Sequence, residues 1–364
     1  MSEICIAHGG DISTPSGGSN RIVAMASTLH QQGHEVSVVA PEYKGHPPDR
    51  VAEIAFEEVS LPQEIENPVT RAVAVVRRAT AVADERDAVI QFEHSILGGI
   101  GALYGNCSFV LDMHDLAYSR YDHVQSLFAV PMKHIVARIE RRAVDSADRV
   151  IVVSGHMKER IRYRWKVPEK KITVIPNGFF ESKLDSHRET NVLPGRVCFL
   201  GTLHPKVNLN VIAQICELSS VSDVIVIGDG AQRNQLEELA TERSVLTLTG
   251  RIPDQEAFEL LASSSVAINP QYSSELQRSS SPVKLYYYAA LGKPMVVTAG
   301  PPVANRLSTA DAAIITQSDN EFVKSVDTVL RDPNLADRLG HNARELAEEF
   351  RWQSRTESIT RIYE

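Results

Sequence analysis

Short runs of aliphatic and β-branched residues, each closed by Gly, Pro, Asn or Asp, recur along the chain, and longer segments of helical period lie between many of them. In the first half the runs are Glu3 to Ala7, Glu35 to Ala40, Ala88 to Phe92, Phe109 to Asp112, Val150 to Val153 and Ile172 to Ile175. In the second half they are Arg196 to Leu200, Asp223 to Ile227, Val245 to Thr249, Val266 to Asn269, Met295 to Thr298 and Ala312 to Ile315. Such alternation predicts parallel sheets covered by helices, an α/β protein. Helical spacing covers Ser19 to Gln32, Gln232 to Arg243, Asp319 to Arg331 and Leu335 to Phe350, with Pro333 as a break, and continues over Trp352 to Tyr363. Between the two sets of strands, Phe179 to Gly195 is polar and ends in Pro194-Gly195, which suits a linker. The expected domains are 1–188 and 189–345, with 346–364 as a C-terminal helix returning to the first.

At 364 residues the chain exceeds what one hydrophobic core usually supports. Its 43% hydrophobic and 23% charged residues are those of a soluble globular protein. The longest apolar stretch, Ser95 to Tyr104, is too short to span a bilayer, and the first residues run straight into a strand rather than a leader, so a cytoplasmic protein is expected. Cys5, Cys107, Cys198 and Cys216 stand too far apart for a metal-ligand spacing and read as buried free thiols. The net charge of -8 argues against nucleic-acid binding, yet Met132 to Lys171 holds twelve cations against five acids, a local balance of +7.

Ligands of open parallel sheets bind beyond the carboxyl ends of the strands, so the loops there are the places to look. The first, ending in Ser16-Gly17-Gly18, opens a helix, where paired glycines let backbone approach an anionic group or simply let helix pack on sheet. Asp112-Met113-His114-Asp115 puts a histidine between two carboxylates at the end of an apolar strand. Leu200-Gly201-Thr202 with Lys206, Ile227-Gly228-Asp229-Gly230 and Thr249-Gly250-Arg251 repeat the strand-then-glycine arrangement. Ser281-Pro282-Val283-Lys284 reads as a loop entering a helix whose first N–H groups could hold a diphosphate, or as an ordinary capped helix start.

Together these motifs resemble the retaining, nucleotide-sugar-dependent glycosyltransferases of GT-B architecture in glycosyltransferase family 4. The likeness spans nearly the whole chain, through Pro15-Ser16-Gly17-Gly18, Gly33-His34-Glu35-Val36, Val150 to Ser154, Ile175-Pro176-Asn177-Gly178, Gly228-Asp229-Gly230, Thr249-Gly250-Arg251, and Ser281 to Lys284 running on to Gly292-Lys293-Pro294. The resemblance implies two Rossmann-like domains whose parallel sheets face each other across a cleft, the N-terminal one on the acceptor side and the C-terminal one holding the donor. It implies transfer of a sugar from a nucleoside-diphosphate sugar to an acceptor hydroxyl with retention, and neither metal nor other cofactor.

By the same resemblance His114 is the catalytic contact to the sugar, and Gly17 and Gly18 approach the phosphates or the reacting sugar. Gly201, Thr202, Lys206, Ser281, Pro282, Val283 and Lys284 then hold the diphosphate and sugar, while Gly228, Gly230, Gly250, Arg251 and Tyr287 meet the nucleotide. Many relatives carry two glutamates where this chain has Ser279 and Tyr287, and Thr202 replaces an arginine; Glu275 is a candidate substitute carboxylate. Two other classes stay open: a non-catalytic relative that binds a sugar nucleotide or a partner, and a sugar-nucleotide epimerase or hydrolase, for which no acid/base carboxylate pair stands out. The partners expected are the donor and a glycan, lipid-linked or small-molecule acceptor. The basic stretch 132–171, with Tyr163 and Trp165 among its cations, suggests docking on an anionic membrane surface from the cytoplasmic side, or else a solvated helical face.

Overall fold

The computed structural model describes residues 2–12, 16–41, 54–59, 67–103, 108–123, 128–184, 187 and 190–364. Thr14, Pro15, Cys107 and the boundary expected at residue 188 lie outside them. The chain forms two compact units: Met1–Asn177 with Ser279–Ser281 and Trp352–Glu364, and Gly178–Arg278 with Pro282–Arg351.

The first unit runs β1 (Glu3–Ala7), α1 (Gly17–Gln31), β2 (Glu35–Pro41), β3 (Ala55–Val59), α2 (Pro68–Arg86), β4 (Val89–Glu93), α3 (Ser95–Gly101), β5 (Phe109–Met113), α4 (Ala129–Ser146), β6 (Arg149–Val152), α5 (Gly155–Trp165) and β7 (Ile172–Val174). Its strands form one sheet in the order β3-β2-β1-β4-β5-β6-β7, with every pairing parallel. The chain leaves β1 toward one edge and later resumes on the other side of it. That reversal makes the carboxyl end of β1 the switch point where α/β sheets bind ligands. One face buries Cys5, Val39, Ile90, Phe92, Phe109, Leu111, Val150 and Val152 in a single apolar cluster with side chains of α2, α3, α4 and α5.

The second unit runs β8 (Leu193–Leu200), α6 (Leu209–Ile215), β9 (Asp223–Ile227), α7 (Arg233–Glu242), β10 (Leu246–Gly250), α8 (Asp254–Ala262), β11 (Ser264–Asn269), α9 (Glu275–Ser279), α10 (Val283–Ala290), β12 (Met295–Thr298), α11 (Pro302–Thr309), β13 (Ile314–Thr316), α12 (Asp319–Arg331) and α13 (Pro333–Ala347). The sheet order is β10-β9-β8-β11-β12-β13, again parallel. Alternate residues face opposite sides: Cys198, Ile225, Ala267 and Val297 pack with α8 and α10, whereas Phe199, Val226, Ile268 and Val296 pack with α6 and α12. Continuous apolar runs are what a sheet covered on both faces requires.

All twelve expected strands form. The thirteenth, β3, carries two glutamates in five residues and sits at the sheet's edge, where charged side chains guard the unpaired backbone. The break expected at Pro333 is there: α12 ends at Arg331 and α13 begins with Pro333 itself, the Asp332 side chain accepting from Leu335 N–H. The tail Trp352–Glu364, including α14 (Thr356–Thr360), belongs to the first unit. Cys5 and Cys198 are buried and free, with burial pushing their thiols up to about 11 and about 12; Cys216 is half-buried. No helix among the described residues is long and apolar enough to cross a membrane.

Helix α1 is fixed at both ends. The Ser16 hydroxyl accepts from Ser19 N–H at 3.1 Å while the Ser19 hydroxyl accepts from Ser16 N–H at 2.8 Å, and Gly33 turns the chain away at φ 86°. Between them the fully buried Arg21 makes a two-pronged bond to Asp112 (2.7 and 2.9 Å) and donates to the Ile175 carbonyl (2.9 Å) and Asn177 Oδ1 (3.1 Å). Removing one partner of such a pair strands a charge in the interior. Asp112→Asn is therefore expected to cost about 3–5 kcal/mol, and the double change Arg21→Met with Asp112→Leu to recover most of it. Denaturant unfolding of the two proteins measures this, and a double variant no more stable than the single one would contradict the assignment.

Candidate functional site

Three adjacent strands of the first unit, β1, β4 and β5, are each followed at once by a histidine: His8, His94 and His114. His114 is the one with a strong partner. Its Nε2 lies 2.6 Å from Glu93 Oε2 and 4.0 Å from Asp112 Oδ2. Burial opposes its imidazolium, but the hydrogen bond and charge of Glu93, followed by the charge of Asp112, outweigh burial and raise its pKa above the ordinary histidine value. For His8, burial and then the neighbouring His114 and His94 drive the pKa down to about 3, so it stays neutral. His94 adopts φ 86°, accepts from Ile96 N–H at Nδ1 and lies 3.3 Å from Asp115.

Gly18 and His114 come together: a Cβ on Gly18 would stand 3.7 Å from His114 Nδ1. Gly17 begins the same helix. Sequence reasoning missed Glu93, whose one signal was a carboxylate closing the apolar strand Val89–Glu93, and Arg21, a cation on the apolar side of a helix. Glu93, Asp112 and His114 offer ligand atoms within 4.8 Å of one another, the one such metal-competent group among the described residues. Both Asp112 oxygens are taken by Arg21, and both Glu93 oxygens by Gln91 and His114, so the cluster is built as a hydrogen-bonded network.

In the second unit the glycine ends of β8, β9 and β10 interlock. Gly201 N–H donates to Ile227 O at 2.8 Å, and Gly228 N–H donates to Gly250 O at 2.9 Å. Gly228 has φ 133°, and a Cβ there would lie 2.2 Å from Gly201 O; one on Gly230 would lie 2.6 Å from Leu203 O. Against this edge α10 sets Lys284, whose Nζ would be 2.9 Å from a Cβ on Gly201 and lies 3.8 Å from the centre of the Phe199 ring. Burial, then repulsion from Lys206, holds the Lys284 ammonium well below the ordinary lysine value. Among the described residues no carboxylate forms an ion pair with it. Thr202 and Arg251 are exposed, and no side chain caps the first turn of α10 at Pro282 and Val283.

Three expectations meet a different setting. Tyr287 is a core ring, 4.6 Å from Phe258 and 6.2 Å from Phe179 between centroids. The Ser281 hydroxyl oxygen accepts from Asn177 N–H at 3.0 Å and its carbonyl from Asn177 Nδ2 at 2.8 Å, which gives it a structural task in the first unit. Trp165, expected among the surface aromatics, is buried edge-on to Tyr118. Glu275 lies 3.5 Å from Arg278.

Two parallel six- and seven-stranded α/β halves with glycine-closed strand ends define the GT-B class. Residues 15–180 match the profile of Glycosyltransferase Family 4, and residues 185–346 that of Glycosyl transferases group 1. The chain belongs to this GT-B glycosyltransferase family and is a glycosyltransferase. Among solved structures it is similar to sucrose-phosphate synthase from Thermosynechococcus elongatus, with TM-score 0.81 and 17% identity over 100% of this chain and 98% of that one. It is also similar to WaaG, a glycosyltransferase involved in lipopolysaccharide biosynthesis (0.75, 15%, over 99% and 100%). A third is Anabaena HepE in complex with UDP-glucose (0.74, 15%, over 100% and 99%). No curated protein matches the sequence.

The two glycine positions should respond differently to a methyl group. Gly228→Ala meets a carbonyl at 2.2 Å in left-handed backbone and is expected to cost on the order of 2–4 kcal/mol, whereas the Gly18 contact of 3.7 Å is ordinary van der Waals distance. Thermal unfolding of Gly228→Ala and Gly18→Ala should therefore show a large drop only for the first.

Proposed function

We propose that the chain is a retaining, metal-independent transferase that moves a sugar from a nucleoside-diphosphate sugar to an acceptor hydroxyl. The observation that carries this reading is Lys284, a desolvated cation with no carboxylate partner among the described residues, beside Lys206 and against the glycine edge of β8. What such a place lacks is an anion, and a diphosphate supplies one. That HepE was solved with UDP-glucose is consistent with the same donor class.

In the reaction, the acceptor oxygen bonds to the anomeric carbon on the face from which the leaving group departs. The carbon–oxygen bond to the diphosphate breaks, its electron pair stays with the diphosphate, and the diphosphate takes the acceptor proton. Lys284, Lys206 and the uncapped start of α10 from Pro282 stabilise the charge that develops, with Gly201 and Thr202 beside the phosphates. Gly228, Gly230, Gly250 and Arg251 meet the nucleotide. From the first unit, His114 contacts the transferring sugar and Gly17-Gly18 leave it room. Ser279 and the inward Tyr287 remove both family carboxylates, which favours as a second reading a binder that does not transfer.

A panel of nucleotide sugars monitored by thermal shift, followed by transfer to added acceptors, separates the two readings. Lys284→Met is expected to leave stability unchanged or raised, since it removes a lone desolvated charge, and to weaken donor binding by roughly tenfold or more. Diphosphate should raise the depressed Lys284 pKa, so binding takes up a proton. Affinity then falls as pH rises from the free toward the bound value. Calorimetry in buffers of different ionisation enthalpy measures the uptake, and a pH-independent affinity shared by wild type and Lys284→Met would defeat the role.

For the acceptor side we propose peripheral contact with an anionic membrane through residues 132–171, the protein itself being cytoplasmic. Helix α4 exposes Val130, Met132 and Ile135 near Arg138 and Arg142, and α5 exposes Tyr163 between Arg160 and Arg164. Cations near anionic headgroups contribute about 1 kcal/mol each. Part of the charge is already spent, since Glu159 and Glu169 pair with Arg162 and Lys158. Vesicle sedimentation should show binding to phosphatidylglycerol-containing but not to phosphatidylcholine vesicles, reversed by high salt; equal binding to both would contradict the proposal.

A further inference from the structure

We infer that Tyr363, in the C-terminal tail, is a positioning residue for His114 and acts through a buried chain of hydrogen bonds, Tyr363 to Gln91 to Glu93 to His114. The Tyr363 hydroxyl meets Gln91 Oε1, Gln91 Nε2 donates to Glu93 Oε1, and Glu93 Oε2 lies 2.6 Å from His114 Nε2. Gln91 and Glu93 point to the same side of β4, two residues apart, and are at most 1% exposed. Gln91 and Tyr363 are separated by 272 positions in the chain.

The donors and acceptors allow one direction of assembly. An amide oxygen carries no proton, so the phenol must donate to it; this leaves the amide N–H groups for the carboxylate. An ionised carboxylate only accepts, so the imidazole must present Nε2–H to it, and Nδ1 is left on the side of Gly18. Without the phenol the amide is free to rotate by half a turn. That would point its oxygen at Glu93 and leave a buried carboxylate oxygen without a donor. Tyr363 therefore fixes the amide, the amide fixes the carboxylate, and the carboxylate fixes the ring.

The charged or titratable groups facing His114 are Glu93 on β4, Asp112 on β5, Arg21 on α1 and His8 after β1. Asp112 is committed to Arg21 and His8 stays neutral, so Glu93 is the group that sets the state of the ring.

The kinetic consequence rests on the reading of His114 given above, but the proton on Nε2 does not. The test uses the full chain labelled with ¹⁵N-histidine, with the His114 ring signals assigned by their loss in His114→Gln. In the wild type, Nε2 should carry the proton and the ring should titrate above the ordinary histidine value. Glu93→Gln should lower that pKa by about one unit or more. Tyr363→Phe, which keeps the ring and its packing, should lower it by a smaller amount, and the alkaline limb of kcat should move to lower pH by the same amount. The sign follows because a group with a raised pKa loses its proton, and its imidazolium form, as pH rises through that value. If Tyr363→Phe changes the melting temperature but leaves the tautomer and titration of His114 as in wild type, the tail is only a structural clamp and the inference is overturned. If the ring responds as expected while His114→Ala retains full kcat, the relay stands and the sugar-contact role of His114 fails.

Discussion

The guanidinium of Arg21 is the constraint on which the first unit depends. It is wholly buried, holds both oxygens of Asp112, and reaches the backbone after β7 through Ile175 and the side chain of Asn177. It also lies 5.9 Å from the centre of the Trp352 ring, where the tail begins. A planar cation with a fixed fork of donors can tie a helix, a strand end and two loops at once, which an ammonium could not. Because α1 is pinned there, its capped start at Ser16 and the Gly17-Gly18 pair acquire a defined position next to His114. The burial that makes the ion pair costly to break is what makes that position reproducible.

The second unit follows the opposite strategy. There a cation has no carboxylate partner among the described residues, and the folded protein bears the cost of a desolvated ammonium. The ring of Phe199 offsets a little of that cost, and the interlocked glycines bring backbone close enough that nothing bulkier fits between. In the proposed function this charge is preorganised for a ligand that brings the missing one, at the expense of stability. Tyr287 serves stability, adding an aromatic ring to the core beside Phe258 and Phe179.

Much of the architecture was legible because each expected strand is a local apolar run closed by a turn former, and both features act within a few residues. Gly201, Gly228 and Gly250 could be singled out for the same reason: a residue with positive φ just past a strand announces itself. His114 stood out between Asp112 and Asp115, yet its partner is Glu93 on the neighbouring strand, and nothing local tells which carboxylate an imidazole will meet. Ser281 stood out for its backbone N–H before Pro282, but nothing local announces that its hydroxyl oxygen accepts from Asn177, far away in the chain. The short edge strand β3 escaped notice because its charged residues break the alternation that marks a half-buried strand.

The sequence by itself determined the element order, the parallel α/β class, the glycine-closed strand ends and the family. The first three rest on periodicity and backbone freedom, which are properties of adjacent residues; the family rests on the resemblance of the motifs. Only the tertiary structure decided which charges are satisfied: Arg21 by Asp112, His114 by Glu93, and Lys284 by no carboxylate among the described residues. The physical reason is that an ion pair or a buried hydrogen bond is set by distance and desolvation, and folding assigns both to residues that the chain keeps tens to hundreds of positions apart.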